Sequence, residues 1–137
     1  MEGFGPVRLL LDTHIWLWSL LDPSKLSRRV RTAVKRTGND LWLSPISVWE
    51  LLVLAERGRI KLDAEPRRWL AEALSKTPAR EATLNFEVAM RSREILLPHP
   101  DPADRFLVAT ALVYDLTLVT ADEILLQAKV CAVLANR

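Results

Sequence analysis

Four carboxylates, Asp12, Glu50, Asp104 and Asp122, are spread across a chain of 137 residues, each at the end of an apolar run or on an otherwise apolar helix. Asp12 ends Leu9-Leu10-Leu11, Asp122 follows Leu118-Val119-Thr120-Ala121, and Glu50 stands in Trp49-Glu50-Leu51-Leu52. Acids are seldom buried without a partner. Two ionised carboxylates about 5 Å apart repel by ~3 kcal/mol at an effective dielectric near 20. Several such pairs in a marginally stable domain require that some acids take up protons or that a cation intervenes. Oxygen-only ligands favour Mg²⁺ or Mn²⁺. Such an ion orients a water, lowers its pKa and stabilises charge on a phosphoryl oxygen. The chemistry indicated is metal-assisted, on a substrate that contains phosphate.

For distant acids to meet, regular elements must bring them to one edge. The run 7–11 is apolar without alternation, as expected of a strand covered on both faces. Residues 13–21 predict a helix apolar almost all round, and 27–36 a basic helix closed by Thr37-Gly38-Asn39. A second short strand is expected at 41–43. Ser44 as N-cap and Pro45 at the first helical position then open a helix to about Arg57, stopped by Gly58. Further helices are expected at 66–76, at 85–95, from Asp101-Pro102 to Tyr114, and briefly from Asp122. Further strands are expected at 80–84, 116–120 and 130–134. Strands alternating with helices predict an α/β fold, a three-layer α/β/α sandwich with a central parallel sheet. With no repeat, low-complexity tract or linker, one domain over residues 1–137 is expected. In such sheets ligand groups collect beyond the carboxyl ends of the strands, where Asp12 and Asp122 fall.

Each acid also has a local reading. Asp12 and Asp122 could cap the helices that follow them, Glu50 could pair with Arg57, and Asp104 could be a favourable first-turn acid behind an Asp101 cap. The joint pattern favours the shared cation. His14, on an apolar helix, reads as a structural residue, and His99, in a proline turn, receives no role.

Half of the residues are apolar, 26% are charged and the formal net charge is +2, which is ordinary for a globular protein. One cysteine, Cys131, excludes an internal disulfide. It sits in an apolar run as a small buried hydrophobe, and a reducing cytoplasm is the expected location. The stretch 7–21 is too short for a membrane span, and no secretory signal is visible. The segment 23–39 carries six basic residues and no acid. Within it Arg28, Arg31 and Lys35 form a stripe, either a solvated helix face or a contact for a phosphate backbone.

Four stretches together resemble the PIN-domain family, specifically the toxin ribonucleases of VapBC-type toxin–antitoxin modules. They are Leu9-Leu10-Leu11-Asp12-Thr13-His14-Ile15-Trp16, Ser44-Pro45-Ile46-Ser47-Val48-Trp49-Glu50, Asp101-Pro102-Ala103-Asp104-Arg105-Phe106-Leu107-Val108-Ala109-Thr110-Ala111, and Leu118-Val119-Thr120-Ala121-Asp122. The resemblance implies a PIN-like α/β/α sandwich and an Mg²⁺- or Mn²⁺-dependent endoribonuclease. Asp12, Glu50, Asp104 and Asp122 become its metal ligands and catalytic residues. It further implies an RNA substrate, a cognate VapB-like antitoxin and a homodimer. The family often has glycine where Tyr114-Asp115 stands, so Asp115 is expected to take a left-handed turn. Arg105 is expected in an ion pair. Trp16, Trp18 and Trp49 are expected in the core or at an interface rather than as platforms for stacked bases, and part of the apolar helix 15–21 is expected to meet an antitoxin or a second subunit. Two rivals remain. One is a catalytically silent RNA- or antitoxin-binding domain of the same fold. The other is a haloacid-dehalogenase-type phosphatase, which needs an acid where this chain has His14.

Overall fold

The computed structural model describes residues 6–98 and 100–137, and in it the three consecutive leucines form the centre of the sheet. Strand β1 (Arg8–Leu11) sends Leu9 and Leu11 into one core and Leu10 into another, all of them buried. Unbroken apolarity thus marks a strand with a helical layer on either side. β1 pairs in parallel with β2 (Asp40–Leu43) and with β4 (Thr117–Thr120). The edge strands β3 (Arg80–Glu81) and β5 (Val133–Ala135) complete the all-parallel order β3-β2-β1-β4-β5.

On one face, α1 (Thr13–Leu21), α2 (Arg28–Lys35), α3 (Pro45–Glu56) and α4 (Pro66–Lys76) bring Ile15, Trp16, Val30, Leu51 and Trp69 against Leu9 and Leu11. The indoles of Trp16 and Trp69 meet edge to face at 6.2 Å. On the other face, α6 (Pro102–Tyr114) packs Leu107, Val108 and Ala111 against Leu10, and α5 (Phe86–Glu94) lies along α6. The short α7 (Glu123–Ala128) adds Leu125 to this second core. This is the expected three-layer sandwich. The chain builds outward from β1 to β2 and β3, then crosses back to β4 and β5. The crevice beyond the carboxyl ends of β1 and β4 is therefore the topological switch point, where open α/β sheets bind ligands.

Several local expectations shift. The third strand contracts to Arg80–Glu81: Ala82 still donates to the Leu43 carbonyl at 2.9 Å, after which Asn85 caps α5. The last strand starts at Val133 rather than 130, because Lys129 ends α7 in a left-handed conformation (φ 55°). Cys131 is consequently only half-buried, and burial still pushes its thiol up to about 11. Among the described residues Arg105 pairs with no carboxylate. Its three guanidinium nitrogens donate to the carbonyls of Ser92, Ile95 and Leu97 at 3.0, 3.0 and 2.8 Å, clamping the end of α5 to α6. Trp16 is in the core, Trp18 is half-buried, and Trp49 is 58% exposed. Most of the apolar surface of α1 enters the protein's own core, since Ile15, Trp16 and Leu17 are all buried. His99 lies outside the described residues. Among the described residues no helix is long and apolar enough to cross a membrane.

Asp115 adopts the expected left-handed conformation, φ 55° and ψ 56°, as the C-cap of α6. An L-residue is strained there and glycine is not. Relief of about 1–2 kcal/mol of left-handed strain, less about 0.5–1 kcal/mol for glycine's greater unfolded-state freedom, means that Asp115→Gly should stabilise the fold by about 0.5–1 kcal/mol. Urea unfolding reads this as a higher midpoint at unchanged m, and an unchanged or lower midpoint would show that no strain is stored at this turn.

Candidate active site

The backbone of β1 runs straight into Asp12, whose own N–H donates to the Val119 carbonyl of β4 at 3.0 Å. The Asp12 side chain is 8% exposed. One oxygen, Oδ1, accepts from the Thr13 amide at 2.7 Å and caps α1. The other, Oδ2, accepts from the Thr120 hydroxyl at 2.6 Å. The same Thr120 oxygen accepts from the Asp122 amide at 3.0 Å. One hydroxyl at the end of β4 thus sets the position of two acids.

Glu50 reaches the crevice from α3. The N-terminus of that helix is set by the Ser44 cap, which accepts from the Ile46 amide, and by Pro45. Ser47 and Leu51 form its buried side. The Thr13 hydroxyl donates to Glu50 Oε1 and lies 2.9 Å from Ser47 Oγ. Glu50 is therefore bound to the first residue of α1, not to Arg57. Asp122 caps α7, with Oδ1 accepting from Ile124 and Leu125. Asp101 caps α6 with Oδ1 accepting from the Ala103 amide at 2.9 Å, and Asp104 is half-buried in the first turn of that helix.

Burial raises the Asp12 carboxyl above its ordinary value. The Thr120 hydroxyl, the Thr13 amide and His14 oppose this, while the charge of Asp122 adds to it. Burial likewise raises Glu50, opposed by the Thr13 hydroxyl and His14 and reinforced by the charges of Asp12 and Asp101. The crevice therefore brings together Asp12, Asp122, Glu50 and Asp101 electrostatically. Asp101 had been read from the sequence as a cap alone; it is the cap, and its charge also bears on Glu50. Ser47 had no role in the sequence, since nothing about an isolated serine on a helix signals a distant threonine.

Among the described residues no three His, Cys, Asp or Glu side chains gather closely enough to enclose a metal ion. Asp12, Glu50 and Asp122 are instead tied to one another through Thr13 and Thr120. Mg²⁺ keeps several of its waters and needs one or two protein carboxylates, so neighbouring hard oxygen donors suit it without a closed cage. The raised carboxyls of Asp12 and Glu50 are also what a neighbouring cation would relieve. The donor set fits the ion.

The family model for the PIN domain matches residues 9–130, and the chain belongs to the PIN-domain family. A curated relative, Ribonuclease VapC22 of Mycobacterium tuberculosis, is 32% identical over 117 residues, which are 83% of this chain and 86% of that protein. Solved structures share the fold at lower identity. VapBC2 from Rickettsia felis, bound to a DNA fragment from its promoter, aligns at TM-score 0.68 and 15% identity, over 94% of this chain and 98% of that one. A toxin–antitoxin complex from Klebsiella pneumoniae aligns at TM-score 0.64 and 22% identity, over 94% and 98%.

The raised carboxyls carry a pH signature. Each holds its proton more tightly in the folded chain than in the unfolded one, so its destabilising effect is absent below the ordinary values of 3.8 and 4.5. The effect grows as pH rises through the folded values. Metal-free protein should therefore lose stability from about pH 4 upward. Asp12→Asn should remove much of that loss and melt at a higher temperature than the parent at pH 7. Melting curves from pH 4 to 8 in chelator decide it, and parallel profiles for the two proteins would contradict this electrostatic account.

Proposed function

We propose that the protein is a metal-dependent endoribonuclease and the toxin of a type II toxin–antitoxin module, with the whole of residues 1–137 forming one PIN-like unit. The observation that carries this reading is the buried Asp12 carboxylate at the switch point, with Asp122 beside it through Thr120 and Glu50 bound to the adjoining Thr13. Family membership and the ribonuclease named among its relatives support the same chemistry.

By the family resemblance Asp12, Glu50, Asp104 and Asp122 would hold Mg²⁺ or Mn²⁺, with water supplying the coordination that the acids do not themselves enclose. When bound, the ion would supply Lewis acidity towards a phosphoryl oxygen and would lower the pKa of the water whose deprotonated form attacks phosphorus. The chain's own part is positional. Thr120 holds Asp12 and the backbone of Asp122 in register across β1 and β4. Thr13 holds Glu50 towards the same crevice, and the cores beneath exclude water from the far side of Asp12. Exposed basic residues Arg28, Arg31 and Lys35 are the proposed contacts for the RNA backbone. The α2 end nearest the crevice is the Arg28 end, because the Ser27 amide donates to Asn136 Oδ1, and Asn136 in turn donates from its amide to Thr120. A VapB-like antitoxin and a second copy of the chain are the proposed protein partners, in a cytoplasmic setting. The similar fold from Klebsiella pneumoniae is that of a toxin–antitoxin complex, which supports the first of these partners.

Asp12→Asn should lower RNA cleavage by more than the 10- to 100-fold typical of losing an outer-shell partner. Chelation should abolish cleavage by the parent, and Mg²⁺ or Mn²⁺ should restore it. Thr120→Val, which removes a group that touches the acids and not the ion, should fall within that 10- to 100-fold range. End-labelled RNA resolved on gels measures all three. Equal cleavage by parent and Asp12→Asn, indifferent to chelator, would defeat the mechanism.

A further inference from the structure

His14 is the second residue of α1 and two residues beyond Asp12, yet its side chain is exposed, whereas its neighbours Thr13 and Ile15 are buried. It therefore stands at the lip of the acidic crevice. One helical turn on, Trp18 is half-exposed, with its ring centroid 5.7 Å from that of His14 and the planes tilted by 51°. Beyond α1 the chain makes a single 3₁₀ turn, Pro23–Lys25, which returns Lys25 so that its Nζ lies 5.8 Å from the Trp18 ring centroid. Asp22, the acid next to this turn, accepts a hydrogen bond from the Ser24 hydroxyl. The exposed bases Arg28 and Arg29 follow at the start of α2.

We infer that His14, Trp18 and Lys25 form a stacking ledge that takes unpaired bases of a single-stranded RNA beside the acidic crevice; this rests on the nuclease reading of that crevice. Proteins that hold single strands combine aromatic faces, on which bases stack, with cations that follow the phosphates. The ledge has both, in a row that starts at the acids. Trp18 packs in part against the core that holds Trp16 and Trp69, and the rest of its side chain remains accessible. Trp16, on the same helix, is completely buried, whereas Trp18 keeps part of its indole in solvent under an ammonium group. A tryptophan beside basic groups also suits a protein interface, so the preference for RNA rests on the run of cations, Lys25, Arg28 and Arg29, that continues from the rings. Charge complementarity selects the polyanion. The ledge would fix which nucleotides flank the cleaved bond and so set part of the cleavage preference, with no need for base-edge hydrogen bonds.

A stacked base contributes a roughly 5- to 150-fold change in affinity. The test uses an RNA of about 12 nucleotides and the full-length protein carrying Asp12→Asn, so that binding is read without cleavage. Trp18→Leu should weaken binding at least fivefold and remove part of the fluorescence quenching caused by RNA. Trp18→Phe should retain most of the affinity. Lys25→Ala should lower the slope of log affinity against log salt by about 0.7, the value for one phosphate contact on a single strand. In otherwise wild-type protein, Trp18→Leu should raise KM with little change in kcat. An RNA made abasic at one position should erase the difference between parent and Trp18→Leu.

Unchanged RNA affinity in folded Trp18→Leu and Lys25→Ala proteins overturns the ledge. So does a loss of self-association or antitoxin binding with RNA binding intact, which would make this face a protein interface. Should Trp18→Leu fail to fold, Trp18→Phe, Lys25→Ala and the abasic series still decide the matter. Failure of the ledge leaves metal-dependent cleavage measurable on the parent. Failure of the nuclease reading appears instead as chelator-insensitive or absent cleavage, whatever the RNA affinity.

Discussion

Both oxygens of the Asp12 carboxylate are committed to the fold. One receives the first amide of α1 and the other the hydroxyl at the end of β4. Two strands and a helix start therefore depend on a charge that is almost entirely removed from water. An ionised group in that position is costly unless hydrogen bonds or a counter-charge compensate it. Thr13 and Thr120 provide the first kind of compensation, and the charge of Asp122 works against it. The domain is thereby left with an electrostatic demand at one point of its surface, and the candidate active site is built around it.

The way the fold tolerates its acids follows from helix geometry. Asp12, Asp101 and Asp122 are each the N-cap of a helix. The amides that end unpaired at a helix start carry partial positive charge, which favours a carboxylate there. Capping and ligation are therefore not competing explanations for these residues. A cap holds the carboxylate at the carboxyl edge of the sheet with one oxygen occupied, and the helix end offsets part of its charge. Glu50 is placed differently, by a side chain reaching off the body of α3, and it needs Thr13 to hold it.

Much of the scaffold was legible because its signals are local. Leu9-Leu10-Leu11 announced a strand buried on both faces, Ser44-Pro45 and Asp101-Pro102 announced helix starts, and α1, α4 and α6 lie where the patterns put them. The edge strands were the least legible. A strand paired on one side ends where its neighbour stops offering hydrogen bonds, so β3 shortened and β5 moved along the chain. Arg105 was misread for a related reason: nothing beside it in the sequence reveals that three carbonyls from the end of α5 and the following segment converge on it. Trp16 and Trp18, two residues apart on one helix, look alike in sequence. At that spacing they leave α1 on different sides, so Trp16 meets Trp69 in the core while Trp18 packs against that core only in part.

The order of residues alone determined the alternation of strands and helices, the acids that stand at strand ends and helix starts, and the family to which they belong. Those properties are encoded within a few positions of each residue, by side-chain shape, backbone propensity and capping. Tertiary structure alone decided that Thr120 bridges Asp12 and Asp122, that Thr13 and Ser47 gather Glu50, that Asp101 joins the electrostatics, and that His14 faces solvent beside them. These partners are separated by up to more than a hundred residues along the chain. Hydrogen bonds and unscreened charge act over a few ångströms, and chain folding, not sequence adjacency, brings groups within that range.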